Sequence, residues 1–199
     1  MRSTIANYWW GGSADNRRIH WLRWEGLTQH KSVGGMGIRD LHLFNKAMLG
    51  KQGWHLITRP DSLCARVLKG RYFHDENFLD STRKKHASHT WRAILTGREV
   101  LKKGLIRRIG DGTSTNIWQH RWIPLHFRAK PLTPSDGQEV TLVSDLLNDT
   151  GQWNEELIRE VFFPVDANAI LRIPLRPQEL DWWAWEPEKH GEFLVKSAY

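Results

Sequence analysis

Apolar residues recur with helical spacing in the middle of the chain, and this pattern predicts three consecutive helices. The helices are expected at about residues 41–58, 61–72 and 89–103. Asp40 and Ser88 stand where the first and third helices would begin, and both are residue types that cap helix N-termini. Because each helix would have one apolar face, we expect the three to pack as a small helical cluster.

The apolar faces of the second and third helices can be assigned from the same spacing. On the second helix the buried stripe is predicted to consist of Leu63, Val67 and Leu68. Cys64 falls on or beside this stripe, so we expect it to be a small buried hydrophobe. On the third helix the buried side is predicted to contain Trp91, Ile94, Leu95 and Leu101.

Three other segments have the alternation or the turn residues that are typical of strands. Residues 17–24 alternate with a period of two, which predicts a short strand. The Gly-Asp-Gly turn at 110–112 predicts a hairpin over residues 105–122, and the runs 181–185 and 192–197 predict a second hairpin. The predicted fold class is therefore α+β and mostly helical, a small helical cluster with short β-hairpins.

Charge divides the chain into two parts at Pro131. Residues 1–131 contain 24 Lys and Arg against 9 Asp and Glu, whereas residues 132–199 contain 5 against 13. The net charges are +15 and −8, so the first part is suited to a polyanion and the second is not. No run of about eighteen uncharged apolar residues occurs, and we expect no membrane partner. The single cysteine favours a reducing compartment.

The residue patterns of common active sites are missing from the sequence. It contains no Asp-Asp pair of the kind that holds catalytic metal ions in polymerases, and no Gly-rich loop followed by Lys-Ser or Lys-Thr. His74, His86 and His89 lack the spacing and the cysteine partners of structural zinc sites. We therefore predict no catalytic residues, no metal site and no cofactor, and we expect that this chain is not an enzyme.

Basic residues interleaved with tryptophans are the one pattern that indicates a function, because Lys and Arg neutralise phosphates while indole rings stack on unpaired bases. The alternative for the tryptophans is that they belong to the core. The candidate nucleic-acid-binding residues are Arg17, Arg18, Arg23, Lys84, Lys85, Lys102, Lys103, Arg107, Arg108, Trp21, Trp24 and Trp118.

Several ordered sequence blocks resemble the region that follows the polymerase domain in plant LINE-type (non-LTR) retrotransposon reverse transcriptase polyproteins. The blocks extend over nearly the whole length of the chain. They include YWWGG from Tyr8, GGMGIRDLHLFNKAMLGKQGWHLI from Gly34, IGDGTSTNIWQHRWIP from Ile109, GQWNEELIREVFFPVDANAILRIPL from Gly151 and WAWEPEKHGEFLVKSAY from Trp183.

The resemblance implies a non-catalytic connection region that contacts RNA or DNA beside the polymerase, with the other domains of the polyprotein as further partners. With the charge division at Pro131, this gives a basic, Trp-rich connection region at 1–131 and an acidic helical segment at 132–199. The resemblance implies that the second segment ends in a truncated hairpin that leads into a missing zinc-binding module. The alternative is a structural or decayed-element fragment without autonomous activity.

Overall fold

A computed structural model describes residues 2–11, 19–124 and 129–199. This part of the chain forms eight α-helices and one two-stranded antiparallel sheet, which confirms the predicted mostly helical α+β class. The elements are α1 (Arg2–Trp9), α2 (Trp24–Thr28), α3 (Leu41–Thr58), α4 (Leu63–Tyr72), α5 (His89–Gly104), β1 (Leu105–Arg108), α6 (Glu155–Val161), α7 (Pro164–Ile170), β2 (Trp182–Trp185) and α8 (Val195–Ala198). Two 3₁₀ helices cover Lys31–Val33 and Val143–Leu146.

The three predicted helices are confirmed as α3, α4 and α5, and two of the expected caps are present. The Asp40 carboxylate accepts hydrogen bonds from the backbone amides of His42 at 2.8 Å and Leu43 at 3.1 Å. The Ser88 hydroxyl accepts one from the Trp91 amide at 3.2 Å. These bonds satisfy amides that have no partner inside the first helical turn. At α4 the cap is Ser62, which accepts from the Ala65 amide.

Helices α3 and α5 pack so closely that one of their contacts is made by backbone atoms. A Cβ atom on Gly97 of α5 would lie 2.3 Å from the carbonyl carbon of Leu49 on α3, a separation that no real side chain shows. Glycine is therefore required at this position. Around this contact lies the first core cluster, which contains Trp54, Leu56, Trp91, Ile94, Leu95, Leu101 and Leu105 together with Trp185 and Phe193.

The buried face of α4 differs from the predicted stripe. Leu63 and Val67 are exposed, while Ala65 and Tyr72 are buried and Leu68 packs against the first cluster. Cys64 is also exposed, so its predicted burial is wrong. The spacing 65, 68 and 72 is as helical as the predicted one, and Ala65 gives little hydrophobic signal in the sequence.

The strand partners differ from both predicted hairpins. β1 pairs with β2 in an antiparallel register that sets Leu105 opposite Trp185 and Arg107 opposite Trp183. The segment after the Gly-Asp-Gly turn forms no strand, and Val195–Ala198 is helical as α8. The predicted strand at 17–24 is also absent where the structure describes it, because residues 19–23 are irregular and α2 begins at Trp24.

A second core cluster is built from residues 109–175, a region with short helices and long loops. Ile117, Ile123, Val143, Leu146, Ile158 and Ile170 are fully buried in it. Asp166 lies in the first turn of α7 and is fully buried. The carboxylate accepts hydrogen bonds from Leu132 N, Thr133 N and Thr133 Oγ1 at 2.7–2.8 Å. Both clusters take residues from both sides of Pro131, and the division of the chain there stays a prediction.

Candidate nucleic-acid interface

Six of the candidate basic residues are exposed on the described surface. Arg23 precedes α2, Lys84 and Lys85 lie in the loop before α5, Lys102 and Lys103 occupy the last turn of α5, and Arg108 ends β1. Within the described residues, none of the four lysines has a carboxylate within ion-pair distance. The predicted candidates Arg17 and Arg18 lie outside the described residues.

Arg107 is buried and its guanidinium is used inside the fold. Its Nε donates to Thr115 Oγ1 at 3.3 Å and its Nη2 donates to both the carbonyl and the hydroxyl of Ser114. Nη2 also lies 3.9 Å from Asp181 Oδ2. Burial lowers the pKa of Arg107, against the opposing effect of Asp181 and Asp111. Because these contacts occupy the guanidinium, Arg107 is not presented to a phosphate as its sequence position suggested.

Asp181 organises the loop that the Gly-Asp-Gly turn begins. Its Oδ1 accepts from the amides of Gly110 at 2.7 Å and Gly112 at 2.9 Å. Its Oδ2 accepts from the amide and hydroxyl of Ser114 and from Thr115 Oγ1. Burial by itself would raise the pKa of Asp181, but the hydrogen bonds from Thr115 and the three amides outweigh it and lower the pKa. No local sequence pattern around Asp181 indicated this role.

The three candidate tryptophans have different environments. Trp21 is 78% exposed, so its ring is available for stacking. Trp24 is buried with Leu27 in a small third cluster, as the core alternative expects. Trp118 is half-buried: its Nε1 donates to the Val140 carbonyl at 2.8 Å and its ring lies 5.5 Å from that of Phe162. Only Trp21 of the three combines large exposure with a basic neighbour, Arg23.

One of the candidate lysines, Lys102, lies in a cleft that we call the basic cleft. Its volume is about 310 Å³, near the lower end of the range for small-molecule sites. The end of α5, the loop before α5, residues 119–121, Lys130 and β2 form its walls. The lining residues are Asn77, Leu79, Asp80, Lys102, Leu105, Gln119, His120, Arg121, Lys130 and Trp183.

The fold brings these residues together through backbone contacts at the free edge of β1. The Arg107 amide donates to the Arg121 carbonyl, which places His120 and Arg121 beside the strand. The Ala129 carbonyl accepts from the amides of Trp122 and Ile123. Ala129 has a φ of +53°, a left-handed conformation that is uncommon for a residue other than glycine, and Lys130 follows it at the cleft. No local sequence signal indicated this convergence.

The cations of the basic cleft have different environments. Arg121 donates to the Lys103 carbonyl at 2.6 Å and pairs with Glu186 at 2.7 Å. Lys102 and Lys130 have no carboxylate within ion-pair distance among the described residues, and Asp80 is the one acidic lining residue. These two lysines therefore give the cleft an excess of positive charge.

His120 is held as a neutral ring in the same cleft. The backbone amide of Asn116 donates a hydrogen bond to Nδ1 of His120 at 2.9 Å, so Nδ1 must act as an acceptor. Burial lowers the pKa of His120, and the cations of Arg107 and Lys130 lower it further against Asp80 and Asp181. His120 thus adds a polar ring rather than a charge at neutral pH. In the described ranges 2–11, 19–124 and 129–199, no group of three or more His, Cys, Asp or Glu side chains could hold a metal ion.

Two curated proteins of Arabidopsis thaliana are similar to this chain. An uncharacterized mitochondrial protein is 40% identical over 124 residues, which cover 62% of this chain and 80% of that protein. The chain belongs to the family of this mitochondrial protein. The name of the second relative gives ribonuclease H as a provisional assignment. This relative is 30% identical over 207 aligned positions, which cover 96% of this chain. The two matches support the coarser part of the resemblance, a plant retrotransposon-related protein.

The chain spans 32% of the length of the relative named for ribonuclease H. No family model matches the sequence. No solved structure matches it. Over the residues that the structure describes, none of the helices combines the length and the apolar character needed to cross a bilayer.

Proposed function

We propose that this chain is a non-catalytic, nucleic-acid-binding part of a plant LINE-type (non-LTR) retrotransposon reverse transcriptase, from the region that follows the polymerase. The observation that carries the proposal is the set of four exposed lysines without acidic partners, Lys84, Lys85, Lys102 and Lys103. Such ammonium groups can neutralise phosphates and release counterions from RNA or DNA. The net charge of +15 over residues 1–131 supports the same conclusion.

A binding role rather than a catalytic one is supported by the use of the buried carboxylates. Asp166 and Asp181 are the buried acidic residues of the described chain, and both accept hydrogen bonds from neighbouring backbone amides. Both oxygens of the Asp181 carboxylate are occupied in this way, so this side chain holds a loop in place and is not free to bind a metal ion or to transfer a proton. We propose that any nuclease or polymerase activity of related proteins belongs to parts outside the match to this chain.

The test is a titration of a labelled single-stranded RNA and of a duplex DNA with the purified chain, followed by fluorescence anisotropy over a series of salt concentrations. The logarithm of the affinity should fall with the logarithm of salt, with a slope of about 0.9 per phosphate contact on duplex DNA and about 0.7 on single strands. The variant with Lys84, Lys85, Lys102 and Lys103 all changed to Glu should bind more weakly and with a smaller slope.

A control variant changes two lysines that are exposed in the acidic part, Lys189 and Lys196, to Glu, and it is compared with the variant in which only Lys84 and Lys85 are changed to Glu. The control substitutions reverse lysine charges outside the proposed surface and should leave the slope nearly unchanged. Circular dichroism must show that each variant is folded. Equal affinities and slopes for the wild type and all variants would contradict the proposal. Arg107 is left unchanged in this design because it is buried.

A structural role without autonomous activity is the second candidate, and the burial of Trp24, Trp91, Trp122 and Trp185 favours it. In this role the tryptophans serve packing only. A folded chain with a cooperative unfolding transition that binds neither RNA nor DNA at low salt would support this candidate against the first.

A further inference from the structure

The basic cleft contains an aromatic ring that the fold holds in a fixed orientation. The antiparallel register sets Trp183 directly opposite Arg107, so that the two side chains lie on the same face of the sheet. The Arg107 guanidinium carbon lies 4.8 Å from the centre of the Trp183 ring. The centres of the His120 and Trp183 rings are 5.4 Å apart, and the two rings form an edge-to-face pair. Trp183 is only half-buried, and it lines the cleft.

Positive charge and amide groups surround this ring. Lys102 comes from the last turn of α5 and Lys130 from the segment after Ala129. Two separate parts of the chain thus contribute the cations that have no carboxylate within ion-pair distance among the described residues. Asn77 and Gln119 also line the cleft. An amide side chain can both donate and accept a hydrogen bond, as the edge of a base requires.

We propose that the basic cleft binds one unpaired nucleotide, with the base against Trp183 and the phosphate at Lys102 and Lys130. A cleft of about 310 Å³ has room for one small molecule and not for a base pair within a helix. Stacking on an aromatic side chain requires an unstacked base, so the site selects single-stranded RNA or DNA. This inference rests on the proposed function and specifies which form of nucleic acid is bound.

The test uses a mononucleotide, because its binding reports on the cleft and not on the wider basic surface. Uridine 5′-monophosphate is titrated at constant ionic strength while the tryptophan indole N–H signals are followed by NMR, with the Trp183 signal assigned from Trp183→Phe. The Trp183 signal should shift and saturate. Ribose 5-phosphate and inorganic phosphate, which lack the base, should bind more weakly and shift this signal less.

Neighbouring lysines supply a matched set of variants. Lys102→Gln and Lys130→Gln should each lower the affinity for uridine 5′-monophosphate by about tenfold, as the loss of one charge-assisted contact predicts. Lys103→Gln should have little effect, because Lys103 is exposed on the same helical turn but does not line the cleft. Equal losses for Lys102→Gln and Lys103→Gln, or an unshifted Trp183 signal, would overturn the inference.

The anisotropy titrations separate this inference from the proposed function. RNA binding that depends on salt but is unchanged in Lys130→Gln, and equal on single strands and duplexes, would leave the function standing and refute the nucleotide site. Binding of uridine 5′-monophosphate at Trp183 without binding of RNA would support the nucleotide site and refute the proposed function. Equal shifts with ribose 5-phosphate and uridine 5′-monophosphate would show a phosphate site without base recognition and would also refute the inference.

Discussion

The helical region formed by α3, α4 and α5 and the loop-rich region of residues 109–175 are held in place by different interactions. In the helical region Trp91 is fully buried, and its ring lies 4.7 Å from Tyr72 and 5.4 Å from Phe73 in stacked arrangements. The loops of the loop-rich region donate hydrogen bonds to two buried carboxylates, Asp166 within the region and Asp181 beside β2. Apolar packing defines the first region, and buried polar contacts fix the loops of the second.

This difference has a physical reason. Helices satisfy their own backbone amides, so their contacts can be almost entirely apolar. Loops that cross a core bring unpaired amides with them, and each amide that is buried without a partner costs free energy. Asp181 supplies acceptors for three such amides between Gly110 and Ser114. The stability of the loop-rich region should therefore depend on charge and pH more strongly than that of the helical region.

The largest effect is expected from Trp91→Ala in the helical region. Removal of a fully buried tryptophan from an aromatic cluster should lower the free energy of unfolding by about 3 to 5 kcal/mol, because contacts are lost and a cavity remains. Chemical denaturation measured by circular dichroism gives this value.

Trp91→Phe is the matched control. The Trp91 indole N–H is buried and has no acceptor among the described residues, so phenylalanine removes an unpaired polar group while it keeps the stacking on Tyr72 and Phe73. Its cost should be well below that of Trp91→Ala. Equal losses for the two variants would show that the aromatic cluster does not provide the stability of this region.

A smaller loss, about 3 kcal/mol, is expected from Asp181→Asn, because this carboxylate holds a loop of the loop-rich region. Both carboxylate oxygens accept hydrogen bonds, so an NH₂ group at either position faces donors, and the buried Arg107 loses its nearest negative charge. The measurement is again denaturation, combined with hydrogen exchange at the Gly110 and Gly112 amides, which should accelerate.

Asp166→Asn tests whether the two buried carboxylates are equivalent. Only Oδ2 of Asp166 accepts hydrogen bonds, and Oδ1 has no partner within the described residues. An amide oxygen can replace Oδ2, so we expect a change within about 1 kcal/mol. If Asp166→Asn were as costly as Asp181→Asn, then the hydrogen-bond pattern would not explain the loss at Asp181.

The smallest effect is the pH dependence that Asp181 contributes. Its pKa is lower in the folded chain than the ordinary value of 3.8, so the unfolded chain takes up the proton first as the pH falls. The stabilisation is complete well above 3.8 and is lost as the pH falls through the folded pKa. The difference in unfolding free energy between the wild type and Asp181→Asn should thus be constant well above pH 3.8 and should shrink as the pH falls below about 4. A difference that stays constant at every pH would contradict the assignment.

The candidate interface could be predicted from the sequence only in part. The exposed positions of Lys84, Lys85, Lys102 and Lys103 agree with the strongly basic composition of this part of the chain. Lys130, His120 and Trp183 were not among the candidates, because the contacts that bring them to Lys102 join distant parts of the chain. Burial of Arg107 could not be predicted either, since an Arg-Arg pair on a short strand gives no indication of which side chain points inward.

The sequence by itself determined the helices α3, α4 and α5, because helical spacing and N-cap residues act within a few positions of one another. It also indicated the strands at 105–108 and 182–185. Their pairing was decided only by the tertiary structure. Asp181 lies 66 to 71 residues from the groups that it holds, and this contact forms only when the two strands meet. A local turn signal cannot report such a partner, and for this reason the predicted hairpins were wrong.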